Sequence, residues 1–312
     1  MNTNVTVING QQSYIPPPTT PRNENIFIDR RKNSNGLLII LAGYKSFLFD
    51  DVFARVKAFT PRELDICITS SGLFDETLNK IAAENNWSYL SMVQNNVPLA
   101  LNMATMLHEQ AQIIFKMDED IFITDGVFDT LIKTYNHVQS RGYYTVGFVA
   151  PIIPINSFGH ILLLEKLGLV ETYEKMFEKL IYAVHDSRKL YSSPEVAKFF
   201  WGEGGFVPSI DAMNDAFRIQ KLEYSICSVS FSIGFILFHR GLWELMGGWQ
   251  LPPPNSWGPG LDEEQLCQFC ALYSLGMVVS ENAVVGHLSF ADQNAAMKEY
   301  FLAHREKFRC PK

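Results

Sequence analysis

Asp118, Glu119 and Asp120 are three consecutive acids that follow the apolar run Ala111-Gln-Ile-Ile-Phe-Lys-Met117. The run reads as a buried strand, and such strands usually stop in Gly, Asn or Pro rather than in carboxylates. Three carboxylates at the end of a strand repel one another unless something positive sits among them. A divalent cation is the economical answer, because Mg²⁺ and Mn²⁺ prefer oxygen ligands and are commonly held by one or two carboxylates together with phosphate oxygens. The C-terminal lip of a parallel sheet is also where open α/β folds bind ligands. The plainer explanation is an acidic helix start, since Asp and Glu favour the positive end of the helix dipole. Placement at a strand end favours the metal.

A second acidic run, Asp262-Glu263-Glu264, follows a loop of aromatic, proline and glycine residues from Gln250 to Gly260 that contains Trp257 and Gly258. Capping accounts for part of this pattern. A carboxylate beside an apolar loop is also suited to take a proton from a hydroxyl within hydrogen-bond reach. His287 comes just after an apolar run; alone it reads as a core residue, but beside an acidic cluster it becomes a candidate metal ligand. Cys267 and Cys270 form a lone C-x-x-C inside a helical pattern, which reads as packed thiols rather than zinc.

The elements that must position these residues show in the hydrophobic pattern. Strands are predicted at Leu37–Leu41, Leu64–Ile68, Trp87–Val93, Ile113–Met117 and Tyr144–Val149. Helical spacing separates them at Phe47–Phe59, through Leu78, Ile81 and Ala82, at Leu99–Glu109 and at Val127–Val138. Such alternation means βαβ units, a mostly parallel Rossmann-like sheet flanked by helices, and strand ends gathered along one edge. Residues 1–35 are polar and Pro-rich and read as a flexible arm. Beyond Pro151 the alternation breaks. Residues 160–184 carry a helical apolar stripe whose mixed charges favour packing on the core or on a partner subunit over a membrane surface. A strand at Ser228–Phe238, a helix at Gly241–Met246, a helix from Asp262 and a strand near Met277–Val279 complete the pattern. The division expected is an arm, a subdomain at 36–150 and a second at 151–312 with a helical insertion.

Composition bounds the function classes. The chain has 312 residues, 47 % of them hydrophobic and 13 % aromatic, enough for a well-filled core. A net charge of −7 argues against a nucleic-acid binder, which should show a basic stripe. No apolar run approaches the roughly 18 residues needed to span a bilayer, and Met1-Asn-Thr-Asn-Val has neither part of a secretory signal. The five scattered cysteines suit a reducing cytoplasm, so a cytoplasmic protein is expected, with room for contact at the inner face of a membrane.

Taken in order, these motifs resemble the glycosyltransferases of the A-type nucleotide-diphospho-sugar fold, especially inverting family-2-like enzymes, across most of residues 37–290. Ala42-Gly43-Tyr44 after the first strand looks like the nucleotide-contacting loop. Ser70-Ser71-Gly-Leu-Phe-Asp75-Glu-Thr77 is similar to the D-D-G-S-x-D-x-T turn, with serine in place of both leading aspartates. Ala100-Leu-Asn102-Met-Ala104 resembles the A-R-N-x-G/A helix start without its Arg. Asp118-Glu119-Asp120 stands at the D-x-D position, and Ser232-Ile-Gly234-Phe235 with Met246-Gly-Gly-Trp249 looks like the acceptor-side strand and turn. Asp262-Glu263-Glu264-Gln-Leu266 falls where the family has E-D-x-x-L. Trp257-Gly258 is similar to the W-G-G-E-D loop of the galactosyltransferase branch, with His287 matching a later metal-site His.

The resemblance implies a single displacement on a nucleotide-diphosphate sugar, a UDP-sugar by analogy, with a hydroxyl of a saccharide or glycoconjugate as acceptor. Asp120 and His287 would hold Mn²⁺ or Mg²⁺, and Asp118 would touch the metal or the ribose. Ala42, Gly43, Tyr44, Ser70, Ser71, Asp75, Asn102, Asp118 and Glu119 would bind the donor. Glu263, by register on Leu266, or Asp262 would be the base. Gly234, Trp249, Trp257 and Gly258 would line the acceptor side. Two other classes stay open: a sugar-phosphate nucleotidyltransferase, against which the loop after the first strand lacks the Gly-rich basic character, and a non-catalytic carbohydrate-binding protein whose acids merely cap helices.

Overall fold

The computed structural model describes residues 4–11, 23–182, 188–251 and 260–311. Its strands are β1 Val5–Asn9, β2 Asn25–Asp29, β3 Gly36–Leu41, β4 Asp65–Ser71, β5 Ser88–Met92, β6 Ile113–Asp118, β7 Ile121–Phe122, β8 Thr145–Ile152, β9 Tyr224–Cys227, β10 Phe235–His239, β11 Leu275–Val284 and β12 Gly286–His287. The chain divides into two compact units that interleave along the sequence. The first contains residues 1–47, 61–119 and 238–265, the second 48–60, 120–237 and 266–312.

In the first unit the strand order is β1-β2-β5-β4-β3-β6. β5, β4, β3 and β6 run parallel, while β2 joins β5 antiparallel. Leu37, Leu38, Ile39 and Ile40 of β3 are all buried. A strand covered on both faces has no reason to alternate, which explains its uninterrupted apolar run. The intervening helices begin where short polar side chains cap them. Asp75 accepts a hydrogen bond from the Leu78 amide at 2.8 Å and starts Glu76–Glu84. Asn96 accepts from the Leu99 amide at 2.9 Å and starts Val97–Leu107, with Pro98 in its first turn. The C-terminal end of the latter helix is held by buried Arg240, which donates to the carbonyls of Thr105, His108 and Ala111.

In the second unit β11 lies between parallel β8 and antiparallel β9. The helix Val127–Arg141 leads into β8 and stops at Gly142, whose left-handed backbone (φ 69°) caps it. Two residues of β7 pair antiparallel with two of β12, Phe122 with Gly286 and Ile121 with His287. This short ribbon is braced by rings: Phe122 meets Trp201 edge-on at 5.3 Å, and Trp201 meets Phe308 at 4.3 Å. A Cβ on Gly286 would come within 2.4 Å of the Trp201 ring, so only glycine lets the ribbon approach so closely. Arg55, fully buried, fixes the C-terminal segment by pairing with Asp211 at 2.7 Å and donating to the carbonyls of Ile123, Phe308 and Arg309.

The class is thus mixed α/β with mostly parallel strands flanked by helices, as the alternation predicts. Two expectations are corrected. The residues from 1 to 35 are not all arm: Ile26, Phe27 and Ile28 are buried in β2, and Asn25 accepts from the Val93 amide at 2.9 Å. The strand is short and flanked by polar and Pro-rich sequence, which dilutes its signal. The run Ser228–Phe238 is strand only from Phe235, and β9 precedes it unanticipated. The stripe at 160–184 forms helices Gly159–Leu167 and Val170–Met176, which bury Leu163, Leu164 and Tyr173. Among the described residues no helix is long and apolar enough to cross a membrane.

Candidate metal and acid sites

The acids of the run Asp118-Glu119-Asp120 each have a different partner. Asp118 ends β6, and its two carboxylate oxygens accept from Lys116 Nζ at 2.8 and 2.9 Å. Residues two apart on a strand share a face, so Lys116 and Asp118 meet by construction. Lys116 Nζ also lies 3.5 Å from Oδ2 of Asp262, in the first turn of the helix Leu261–Leu272. Burial pulls the Lys116 ammonium towards deprotonation. The charges of Asp118 and Asp262, with Glu263 adding to them, more than offset this and hold its pKa above the ordinary lysine value.

Glu119 turns to the loop after β3. Its Oε2 accepts from the amides of Gly43 at 2.8 Å and Tyr44 at 3.0 Å. Gly43 sits at φ 146°, a conformation that a side chain would strain, and this turns the two amides towards the carboxylate. Tyr44 is exposed and donates its hydroxyl to the Ser71 carbonyl at 2.5 Å. Ala42 is buried, its amide bonded to the Thr69 carbonyl.

Asp120 belongs to the second unit, where its Oδ2 lies 3.4 Å from Nε2 of His287. Both side chains are buried. Backbone contacts set the pair: the Leu288 amide donates to the Asp120 carbonyl at 3.0 Å, and the Trp201 indole donates to the His287 carbonyl at 3.1 Å. Nδ1 of His287 is 3.1 Å from the Ile155 carbonyl. A proton on Nδ1 satisfies that carbonyl and leaves the Nε2 lone pair directed at Asp120, the arrangement of a metal-ligating histidine anchored by a backbone oxygen. The pair therefore fits a Mg²⁺ or Mn²⁺ ion that takes two protein ligands and fills the rest of its shell with phosphate and water. The metal set expected from the sequence is Asp118, Asp120 and His287. Among the described residues no group of three or more His, Cys, Asp or Glu side chains is placed to hold a metal, and Asp118 is taken by Lys116.

The other expected site residues divide between local structure and the acidic helix. Ser70 is buried, donating to the Leu73 carbonyl and paired with the Tyr89 hydroxyl at 2.8 Å. Ser71 accepts from the Asn96 amide at 2.6 Å, and Asp75 is a helix cap. These three shape the turn after β4. Asn102 accepts from the Trp249 amide and the Trp243 indole, both at 2.9 Å, and donates to the Trp249 carbonyl at 2.8 Å. Trp249 is buried at 2 % exposure; its ring meets Phe238 at 5.4 Å, and its indole donates to the Asp262 carbonyl at 3.3 Å. That bond ties it to the first turn of the acidic helix. In that turn Asp262 is buried and Glu263 is half-buried. Gly234 is buried just ahead of β10. Trp257 and Gly258 lie outside the described residues. Cys267 and Cys270 are buried thiols, and Cys267 Sγ donates to the Phe231 carbonyl at 3.5 Å.

Lys116 is the buried charge at this site that the sequence analysis did not single out. Its signal is there in retrospect: a lysine at the centre of an otherwise apolar buried strand must have a charged partner.

No family model matches the sequence, and no curated protein matches it either. Solved structures do align with it. A mannosyltransferase from Pyrobaculum calidifontis, in complex with GDP-Man and Mn²⁺, matches at 14 % identity and a TM-score of 0.48, over 91 % of this chain and 67 % of its own. TarS from S. aureus matches at 7 % and 0.45, over 81 % and 60 %. A CMP:2-keto-3-deoxy-manno-octonic acid synthetase complexed with CTP matches at 8 % and 0.44, over 88 % and 100 %. At these identities and scores none of them assigns a reaction to this chain.

Proposed function

We propose that the chain is a metal-dependent glycosyltransferase of the A-type nucleotide-sugar fold. On this reading it moves a hexosyl or N-acetylhexosaminyl group from a nucleotide-diphosphate donor, a UDP-sugar by the motif order, to a saccharide hydroxyl with inversion. The observation that carries the reading is the buried Asp120–His287 pair, with Nδ1 of His287 anchored on the Ile155 carbonyl. Asp120 and His287 would hold the divalent ion, which when bound supplies Lewis-acid stabilisation of charge on a departing diphosphate. Glu263 serves as the base that accepts the proton of the acceptor hydroxyl. Asp262, tied through its carboxylate to Lys116 and through its carbonyl to Trp249, positions the turn that carries Glu263. Asp118 is left out of the metal set.

The loop after β3 speaks against the nucleotidyltransferase alternative. A triphosphate cradle needs free backbone amides, whereas those of Gly43 and Tyr44 already face the Glu119 carboxylate. Incubating the full chain with a panel of nucleotide-diphosphate sugars, with Mn²⁺ or with EDTA, tests the proposal. Release of nucleoside diphosphate from at least one donor, only with the metal, is the expected result. Release of pyrophosphate from a nucleoside triphosphate and a sugar phosphate would instead support the alternative and overturn this one.

A further inference from the structure

Lys116 is buried inside β6 at 3 % exposure, with one ammonium facing two carboxylates: both oxygens of Asp118, at 2.8 and 2.9 Å, and Oδ2 of Asp262 at 3.5 Å. All three residues belong to the first unit, and Asp262 itself is buried. Taking a lysine out of water is costly unless it is well paired, and two acids brought to one point repel each other unless a cation lies between them. The three charges solve one another's problem. This is the demand that a divalent ion meets in other acid clusters, met here by a side chain.

We infer that Lys116 is a positioning residue that takes the place of a divalent ion between Asp118 and Asp262 and pins the first turn of the acidic helix to the end of β6. The inference stands apart from the proposed sugar transfer, because it concerns only how these two carboxylates are neutralised. It has a consequence that simple packing would not have. Replacing Lys116 by an uncharged side chain of similar length leaves a buried pair of acids that should recruit a metal the native chain does not bind there.

The test is Mn²⁺ binding by electron paramagnetic resonance, with thermal shift in parallel, on the full chain. Both are done in an Asp120→Ala background, which removes the ion proposed for Asp120 and His287. With Lys116 present, no saturable Mn²⁺ site is expected in that background. With Lys116→Met added, a saturable site should appear, its half-saturating Mn²⁺ concentration at least about tenfold below that of any residual, non-saturating response of the Lys116 protein, since a unit positive charge no longer opposes the ion at close range. Mn²⁺ should also raise the melting temperature of the double variant. Equal Mn²⁺ responses with and without Lys116 would overturn the inference, whatever becomes of the sugar-transfer reading. If Lys116→Met fails to fold without metal, Lys116→Met/Asp118→Asn/Asp262→Asn decides. Recovery of the fold once all three charges are removed supports the counter-ion role, and a triple variant as unfolded as the single one contradicts it.

Discussion

Asp118, Glu119 and Asp120 look equivalent in sequence and are not equivalent in space. Lys116 holds the first, the Gly43 and Tyr44 amides hold the second, and His287 faces the third. The residue types at the site were legible: acids at a strand end, acids at a helix start and a later histidine. Their partners were not, because partner choice depends on how the chain turns at the end of β6 and on segments distant in sequence. The same reasoning separates Glu263 from Asp262. Asp262 is constrained at both its carboxylate and its carbonyl, which suits a tether better than a proton acceptor. Glu263→Gln should lower kcat on the order of 10²- to 10⁴-fold with donor KM nearly unchanged, and Asp262→Asn should cost less. Steady-state kinetics of the two variants measures this. The reverse ranking would make Asp262 the base.

At the scale of elements, the parallel strands from β3 to β6 and the helices between them follow the apolar periodicity closely, since strands buried on both faces leave long uninterrupted runs. Short edge elements escaped it. β2 is five residues long, and its burial depends on docking against β5 rather than on its own pattern. His108, at the end of the helix Val97–Leu107, packs edge-on against Phe27 of β2 at 5.6 Å. Its Nδ1 bonds the Ala104 carbonyl at 2.8 Å, and its Nε2 is buried with no hydrogen-bond partner. Burial, only partly opposed by that bond, pushes its pKa down to about 4. Between the unfolded value near 6.5 and the folded value, the unfolded chain takes up a proton that the folded chain refuses. Stability is therefore fully present above pH about 6.5 and is lost as the pH falls towards 4, by up to about 3 kcal/mol. His108→Gln should flatten the fall in melting temperature between pH 7 and 4.5. Parallel curves for the two proteins would show that His108 does not cause the acid sensitivity.

For the whole molecule, a net charge of −7 disfavours a nucleic-acid partner and leaves a metal–diphosphate ligand open, because the ion brings its own positive charge. The acidic run spans the chain position where the first unit gives way to the second, between Glu119 and Asp120. A reading by contiguous subdomains could not have anticipated that, since interleaved units leave no mark in local composition. The central claim is that Asp120 and His287 hold a divalent ion for a nucleotide diphosphate. Isothermal titration of nucleoside diphosphates into the full chain, with and without Mn²⁺, tests it most directly when repeated on His287→Ala. The account predicts saturable binding that requires Mn²⁺ and is lost in the variant while its melting curve stays cooperative. Binding that is indifferent to Mn²⁺, or unchanged in His287→Ala, would contradict it.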